Sequence, residues 1–277
     1  MHQLPKLSQL IIPSALSLIK GVKVKPEGIS LQRVFDGVMI DAADVKQYCA
    51  FLEWNNPQPL CYLYLLAQRA QVALMTDREF TIAIPGMVHM ANKLEQLALL
   101  DFGQPFTLVS YATVPYKKEG SLLPSFVVDI IQNGTKVAYC ESQYMAKRKS
   151  KTKGQRHEVP NLEFAVAHTE LWDIPANYGL RYARVSGDIN PIHTSKLFAK
   201  VMGFKTSILH GWYSVGRLVK HAEELNGRPY QSIEVAFKSP VYLPSTQRLS
   251  LGQGQGSVPF MLHDENTHQL VLSGSLR

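Results

Sequence analysis

Cysteines and long apolar runs are both scarce in this 277-residue chain. Its three cysteines, Cys49, Cys61 and Cys140, lie in apolar contexts and lack the spacing of metal ligands. They predict buried free thiols in a reducing cytoplasm rather than a disulfide framework. No apolar run reaches the roughly 18 residues of a membrane-spanning helix, so no membrane span is expected. The apolar stretch from Leu10 to Ile19 is interrupted by Pro13, and no signal-peptide cleavage site follows it, so secretion is not predicted.

The sequence also lacks a nucleotide-binding glycine loop and a nucleophile with a base at a fixed spacing, so neither a metal nor a cofactor is expected. The net charge of +7 is local, because six of the basic residues and no acid lie between Lys147 and Arg156, and removing them leaves 7 − 6 = +1. This run predicts a solvated linker, with a landing site for phosphates or for an acidic protein as the alternative. Nucleic-acid binding is not expected, because no recognition motif accompanies the charge.

One segment carries a carboxylate and an imidazole separated by a turn. Residues 181 to 193 read Arg-Tyr-Ala-Arg-Val-Ser-Gly-Asp-Ile-Asn-Pro-Ile-His. On a helix, Asp188 and His193 would lie about 140° apart, and Pro191 disfavours helical geometry at Asn190. A turn is therefore predicted, and it can bring both side chains to one point, as proton transfer near neutral pH requires. The alternative is a capped turn with a surface histidine.

Two motifs carry a resemblance to a known family. The first resembles the signature of the MaoC-like, (R)-specific enoyl-CoA hydratases, also called hydratase 2. Its residues here are Tyr182, Ser186, Gly187, Asp188, Asn190, Pro191, Ile192 and His193, followed by Ala199. The second, Leu209-His210-Gly211-Trp212, is similar to the family's His-Gly-Met element at the start of its central helix, with Trp212 in place of the usual Met.

The resemblance implies catalytic roles for Asp188 and His193, which would act on the water that is added or removed and give a 3R-hydroxyacyl product. At a helix start, the backbone N–H of Gly211 has no intrahelical partner and gains from the helix dipole. It is therefore the candidate oxyanion donor, and packing of the helix on a strand is the alternative. Ser186 has no base placed by spacing and is predicted to be structural.

Six further residues are candidates for substrate binding, each with a simpler alternative. Asn190 orients the water or the Asp188 carboxylate, or only forms the turn, and His210 donates a proton or supports the turn. Apolar side chains line an acyl tunnel or belong to the core, and an arginine binds coenzyme phosphates or is merely exposed. The six are Asn190, His210, Trp212, Phe204, Ile208 and Arg184.

The chain divides into two halves with similar landmarks. Phe51 to Pro59 can be aligned with Val185 to His193 through a shared Asn-Pro, which sets Trp54 against Asp188. Ile84-Pro85-Gly86-Met87 is then set against the motif at Gly211. We therefore predict an N-terminal domain at 1–146 without the catalytic groups, a basic linker at 147–160, and a C-terminal domain at 161–277 carrying the hydratase motif.

Element patterns predict the same architecture in both halves. Apolar spacing predicts a helix over Leu60 to Met75 and another of about fifteen residues that follows Gly211 and is stopped by Asn226-Gly227, each followed by strands. A short helix capped by Thr194 or Ser195 and ended by Gly203 is also predicted. Asn133-Gly134 predicts a hairpin. The fold class expected is α+β, a double hot-dog in which each antiparallel sheet wraps a central helix.

The function expected is (R)-specific hydration of 2-enoyl thioesters, or dehydration of 3-hydroxyacyl thioesters, carried by coenzyme A or acyl carrier protein. The alternatives are a non-catalytic acyl-thioester binding or scaffolding protein and a hot-dog thioesterase. Acyl chain length, carrier, direction, pathway and the assignment of each proton stay open, and a homo-oligomer is compatible with the sequence.

Overall fold

The computed structural model of the chain describes residues 3–17, 27–147, 163–254 and 256–277. Its helices are α1 (Leu7–Leu16), α2 (Ala42–Leu52), α3 (Leu60–Met75), α4 (Tyr178–Ser186), α5 (Pro191–Thr194), α6 (Lys196–Val201) and α7 (Gly211–Asn226). Its strands are β1 (Ile29–Val38), β2 (Met87–Gln96), β3 (Phe106–Val114), β4 (Ser125–Gln132), β5 (Thr135–Ala146), β6 (Val166–Ile174), β7 (Ser232–Phe237), β8 (Ser245–Gly252), β9 (Val258–Asp264) and β10 (Gln269–Leu276).

The chain forms two compact units. The first comprises Met1–Ile40 and Leu66–Asn161, and the second comprises Asp41–Leu65 and Leu162–Arg277. Residues 41–65 thus group with the second unit, although the sequence places them in the first half. The predicted linker at 147–160 lies, apart from Lys147, outside the described residues.

The first unit contains an antiparallel sheet in the order β1-β3-β4-β5-β2. The turn between β4 and β5 is the predicted hairpin, with Asn133 at φ 50° and Gly134 at φ 76°. Two positive φ values in succession are what a type I′ turn needs, and Asn-Gly tolerates them best. One face of this sheet buries apolar side chains of strands and of α3, such as Phe126 and Leu74.

The second unit contains an antiparallel sheet in the order β7-β10-β9-β8-β6. Helix α7 packs on this sheet. The Arg217 guanidinium lies 4.7 Å from the centroid of the Trp172 ring on β6. Ser214 Oγ donates a hydrogen bond of 3.3 Å to Gln247 Oε1 on β8. The helix ends where predicted, because Gly227 adopts the left-handed conformation (φ 69°).

Both halves of the sequence follow the same plan. Each has a first strand, a 16-residue helix (α3 or α7) and then four more strands. In each sheet the strands, counted from the first of their unit, stand in the order first, third, fourth, fifth, second. A long helix with an antiparallel sheet, repeated once, confirms the predicted α+β double hot-dog fold.

The two halves share a corner as well as a topology. Helices α2 and α4 both end at a left-handed residue, Glu53 (φ 55°) and Gly187 (φ 74°). In each corner an asparagine side chain accepts a hydrogen bond from the backbone N–H two residues later. Asn56 Oδ1 accepts from the Gln58 N–H, and Asn190 Oδ1 accepts from the Ile192 N–H. The alignment through Asn-Pro therefore corresponds to one local geometry in both halves.

The second landmark of that alignment is wrong. Gly211 opens helix α7, whereas Gly86 (φ 93°) directly precedes strand β2. The residues after Gly86 pair with β5 in an antiparallel ladder. The counterpart of α7 in the chain order is α3, whose start at Leu60 carries no His-Gly pair.

The cysteines and the lengths of the helices were both the subject of predictions from the composition. All three cysteines are free and buried, as predicted. Within the described ranges, no helix has the length and apolar character that crossing a membrane requires.

Glu223 on α7 fixes the corner after α2. Its Oε2 accepts hydrogen bonds from Trp54 Nε1 (3.0 Å) and Asn56 Nδ2 (3.3 Å), and its Oε1 accepts from the Tyr230 N–H (3.2 Å). Glu223 is 8% exposed, so these bonds replace water. They tie the segment between α2 and α3 to the central helix of the same unit.

Replacing Glu223 by Ala should lower the free energy of unfolding by at least about 2 kcal/mol, because it leaves buried N–H donors without an acceptor. Glu223→Gln keeps an acceptor oxygen, so its loss should be smaller. Urea titration followed by circular dichroism measures both. A Glu223→Ala variant as stable as the parent would show that these bonds do not hold the corner.

Candidate active site

The loop after α4 fixes the position of Asp188. Ser186 Oγ donates to the Tyr182 carbonyl (2.9 Å) and accepts from the Asp188 N–H (3.2 Å). Asp188 Oδ1 in turn accepts from the Asn190 N–H (3.2 Å). Ser186 is thus structural, as predicted. The half-buried Asp188 is held in a turn built from local hydrogen bonds.

His193 lies on α5, which Asn190 caps and Pro191 begins. Its Nδ1 is 2.8 Å from the carbonyl oxygen of Ile208. Because a carbonyl only accepts, Nδ1 carries the proton and Nε2 of the neutral ring holds a lone pair. Burial lowers the pKa of His193, against the opposing effects of Asp188 and of the Ile208 carbonyl. The ring is therefore neutral near pH 7 and able to accept a proton.

His210 joins these two residues. It caps α7, is 3% exposed, and its Nε2 lies 2.8 Å from the carbonyl oxygen of Asp188. Its ring stacks on that of His193, with centroids 3.7 Å apart. Burial, followed by the proximity of His193, lowers the pKa of His210 to about 3. His210 is thus a neutral support that fixes the loop of Asp188 and one face of the His193 ring.

The structure brings the two residues of the turn together. One side-chain ligand atom from each of Asp188, His193 and His210 lies within 4.8 Å of the other two. Asp188 and His193 are half-buried, so the cluster has access to solvent. This arrangement can relay a proton between a carboxylate and an imidazole through one water molecule.

Gly211 opens α7 directly beside this cluster. Its N–H belongs to the first turn, where no carbonyl of the helix can accept it. A Cβ at this position would lie 2.7 Å from Cε1 of Phe237, so glycine also allows the helix to approach strand β7. Close packing and an amide without an acceptor inside its own helix therefore coexist at Gly211.

Gly179 is a residue of the site that the sequence reasoning missed. It lies on α4, and a Cβ built on it would be 2.2 Å from the carbonyl oxygen of His193. No real contact is that short, so only glycine lets α4 and α5 approach this closely. A glycine three residues before Tyr182, inside a helix, was the available signal.

Three of the predicted substrate contacts have other partners. Asn190 is the N-cap of α5. Ile208 is buried, and its backbone binds His193 and the Ile192 carbonyl. Trp212 is 5% exposed, donates from Nε1 to the Cys61 carbonyl (3.0 Å), and stacks on Tyr64 with centroids 3.9 Å apart. The structure thus gives all three a role in packing or positioning.

The remaining two candidates for substrate binding, Phe204 and Arg184, are both accessible to solvent. Phe204 is half-buried just after α6, and Arg184 is exposed in the last turn of α4. The predicted helix α6 is present and is capped by Ser195, whose Oγ accepts from the Phe198 N–H. Its apolar residues Leu197 and Val201 are exposed rather than buried.

Two clusters in the described residues have the composition of a metal site. One is Asp188, His193 and His210, and the other is His168, Glu170 and His221. In the first, one nitrogen of each ring is already bound to a backbone carbonyl. The acid–base chemistry of its remaining atoms needs no ion.

Comparisons with known proteins identify relatives of the segment that contains this cluster. The family model described as "MaoC like domain" matches residues 168–269, which include Asp188, His193 and Gly211. Over 227 residues the chain is 28% identical to 3-hydroxyacyl-thioester dehydratase X of Mycobacterium tuberculosis, covering 78% of this chain and 78% of that protein. The crystal structure of HtdX from the same organism matches with a TM-score of 0.74 at 23% identity, covering 89% of this chain and 99% of that one. At this identity the match shows the fold.

A further relative matches about a third of the chain. The peroxisomal hydratase-dehydrogenase-epimerase of Neurospora crassa is 37% identical over 92 residues, which are 33% of this chain and 10% of that protein. The chain thus spans a small part of that relative. Residues 168–269 thus match the MaoC-like domain, and the similarity to that family is shown for this part of the chain.

Proposed function

We propose that this chain is a hydro-lyase that adds water to 2-enoyl thioesters, and removes it from 3-hydroxyacyl thioesters, with (R) stereochemistry. The observation that carries the proposal is the convergence of the Asp188 carboxylate and the His193 imidazole beside the first turn of α7. The names of the relatives, a 3-hydroxyacyl-thioester dehydratase and a hydratase-dehydrogenase-epimerase, support the reaction class.

Asp188 and His193 supply the proton transfers. In the hydration direction, one of them takes a proton from water as its oxygen bonds to C3 of the enoyl group. The π electrons of the C2–C3 bond move toward the thioester carbonyl. As the carbonyl re-forms, the acid of the pair delivers a proton to C2. The proton taken from water replaces the one delivered, and the other proton of the water stays on the C3 hydroxyl. Nε2 of His193 is unprotonated in the neutral ring and is able to accept a proton. Proton transfers by positioned groups are typically worth about 10² to 10⁴ in rate.

The thioester oxygen gains negative charge in this step and needs a donor. The N–H of Gly211 and the positive end of the α7 dipole provide one. Oxyanion donors of this type are worth about 3 to 4 kcal/mol in other enzymes. His210, which directly precedes Gly211, is hydrogen-bonded to the backbone carbonyl of Asp188. This bond fixes the position of Asp188 relative to the Gly211 N–H.

The substrate is a thioester of coenzyme A or of acyl carrier protein. Arg184 is exposed on the helix that leads into the catalytic loop, where a guanidinium can pair with a phosphate of either carrier. Phe204 is half-buried after α6 and offers an apolar surface to the acyl chain. Three buried free thiols suit a reducing compartment, and we place the reaction in the cytoplasm.

A hydration assay on enoyl-CoAs from four to sixteen carbons tests the proposal. The loss of enoyl absorbance measures the rate, and chiral analysis of the product gives its stereochemistry. A 3R-hydroxyacyl product that is lost in His193→Ala supports it. Release of free thiol without hydration would instead identify a thioesterase. Saturable binding of the thioesters with no turnover at any chain length would identify a binding protein.

The pH dependence of kcat/KM should show an acidic limb below pH 6.5. Burial lowers the pKa of His193 from 6.5, so the ring stays neutral and basic at pH values where an exposed histidine is already protonated. Activity should therefore persist as pH falls through 6.5 and decline only below it. Initial rates from pH 4.5 to 8 at constant ionic strength measure the limb. A midpoint above 6.5 would mean that His193 does not titrate as its burial requires.

A further inference from the structure

A second cluster of titratable side chains lies in the same unit, away from the catalytic residues. His168 and Glu170 are two residues apart on strand β6, so both project from one face of it. His221 faces them from α7. It stands ten residues after Gly211, about 15 Å along the helix axis. The hydration chemistry uses none of these three residues.

The two imidazoles face each other through their Nε2 atoms. His168 Nε2 and His221 Nε2 are 2.9 Å apart, and the ring centroids are 4.9 Å apart. On its other side, His221 Nδ1 is 2.6 Å from Glu170 Oε2. The nearby carboxylate favours the tautomer that carries its proton on Nδ1, so the Nε2 lone pair of the neutral His221 ring points toward His168.

We propose that His168 and His221 bind a divalent transition-metal ion of the Zn²⁺ type through their Nε2 atoms, with Glu170 orienting His221 from its Nδ1 side. A carboxylate that fixes the tautomer of a histidine ligand in this way is common at metal sites. Imidazole nitrogen suits Zn²⁺, Cu²⁺ and Ni²⁺ better than Mg²⁺ or Ca²⁺. Water completes the coordination.

The geometry needs only a small adjustment. With Zn–N bonds of about 2.0 to 2.1 Å and tetrahedral angles, two ligand nitrogens stand about 3.4 Å apart, so the observed pair opens by about half an ångström. His168 lies next to a register shift in the pairing of β6 with β8, and β6 is at the edge of its sheet. The His221 and Glu170 side chains are 18% and 36% exposed, so an ion can reach the site from solvent.

The electrostatic setting favours an ion over a second proton. Burial lowers the pKa of His221, with Glu170 opposing the effect and with His168 and Lys220 adding to it. The ring is therefore unprotonated near neutral pH, the form that binds metals. The ion would join an edge strand to the central helix, so it should stabilise the second unit as its concentration rises.

Co²⁺ binding to the tag-free, chelator-treated full-length protein tests the site through visible d–d absorbance. One saturable equivalent that Zn²⁺ displaces is expected, together with a melting temperature that rises with Zn²⁺. His168→Gln keeps an amide that can hydrogen-bond His221 but is a poor ligand, so it should abolish the absorbance. Glu170→Gln should weaken binding about 10- to 100-fold. His268→Asn, a change at an exposed histidine outside the cluster, should leave binding unchanged.

The catalytic cluster is the internal competitor, so Asp188→Asn is included. Binding that survives Asp188→Asn and is lost in both His168→Gln and His221→Gln supports the proposal, and hydration by His168→Gln should stay within about twofold of the parent. Binding that persists in the two histidine variants, or that disappears in Asp188→Asn, overturns it. Wild-type protein without saturable Co²⁺ or Zn²⁺ binding overturns it as well. None of these outcomes depends on whether the chain hydrates enoyl thioesters.

Discussion

Replacing Asp188 by Asn should lower kcat/KM for enoyl-thioester hydration by about 10² to 10⁴ while the protein stays folded. The amide oxygen of Asn can still accept the Asn190 N–H, and the Asp188 carbonyl can still bind His210, so the loop keeps its shape. What disappears is a group that exchanges a proton. Steady-state kinetics on the enoyl-CoA of the best chain length, with chiral product analysis, measures the loss.

Asp173→Asn is the matched control for this change. Asp173 is an exposed carboxylate on β6 that accepts a surface hydrogen bond from Thr246, so its variant should keep parental kinetics. A companion variant, His193→Ala, should fall to a similar level, because the two groups act in one proton relay and their losses do not add. If Asp188→Asn hydrates within threefold of the parent, the carboxylate is not a proton-transfer group.

Gly179→Ala should reduce kcat by about 10² although Gly179 touches no substrate. A methyl group placed 2.2 Å from the His193 carbonyl oxygen forces α5 away from α4 and carries the imidazole with it. Displacements of about 1 Å in a catalytic group can cost this much. KM should change little, because Gly211, which is proposed to bind the thioester oxygen, begins α7 and belongs to neither α4 nor α5.

The control for this variant is Gly256→Ala, at a glycine with no atom within 4 Å of the added Cβ and no left-handed backbone. It should match the parent in kcat and in melting temperature. Gly179→Ser, with a larger side chain, should be at least as slow as Gly179→Ala. Wild-type kcat in Gly179→Ala would show that the His193 backbone tolerates the shift and that the close approach of α4 is not needed for positioning.

The sequence was sufficient to predict the long helices and the turn between Asp188 and His193. The helix over Leu60–Met75 has the predicted limits, because its apolar spacing is continuous and Pro59 precedes it. Asn133-Gly134 and Gly227 mark their turn and helix end because their backbones adopt positive φ values, which few other residues tolerate. The convergence of Asp188 and His193 followed from Pro191, which forces the chain to bend.

Features that depend on tertiary packing were not predictable. Trp212 could not be assigned to the core from its position near a helix start, because its partners Tyr64 and Cys61 are about 150 residues distant in sequence. Gly86 was matched to Gly211 because a two-residue similarity carries no information on whether a helix or a strand follows. The close approach of Gly179 to His193 involves two helices, and neither helix pattern reveals it alone.

The corner after α2 has a consequence for how this chain can change. A Trp54→Asp substitution would set an acid at the position that matches Asp188, but it would also delete the indole donor that Glu223 binds. It would further leave two carboxylates side by side in a buried setting, where like charges repel strongly. The residues of this corner therefore serve to hold it against α7. A single amino-acid substitution could not also create a second catalytic site there.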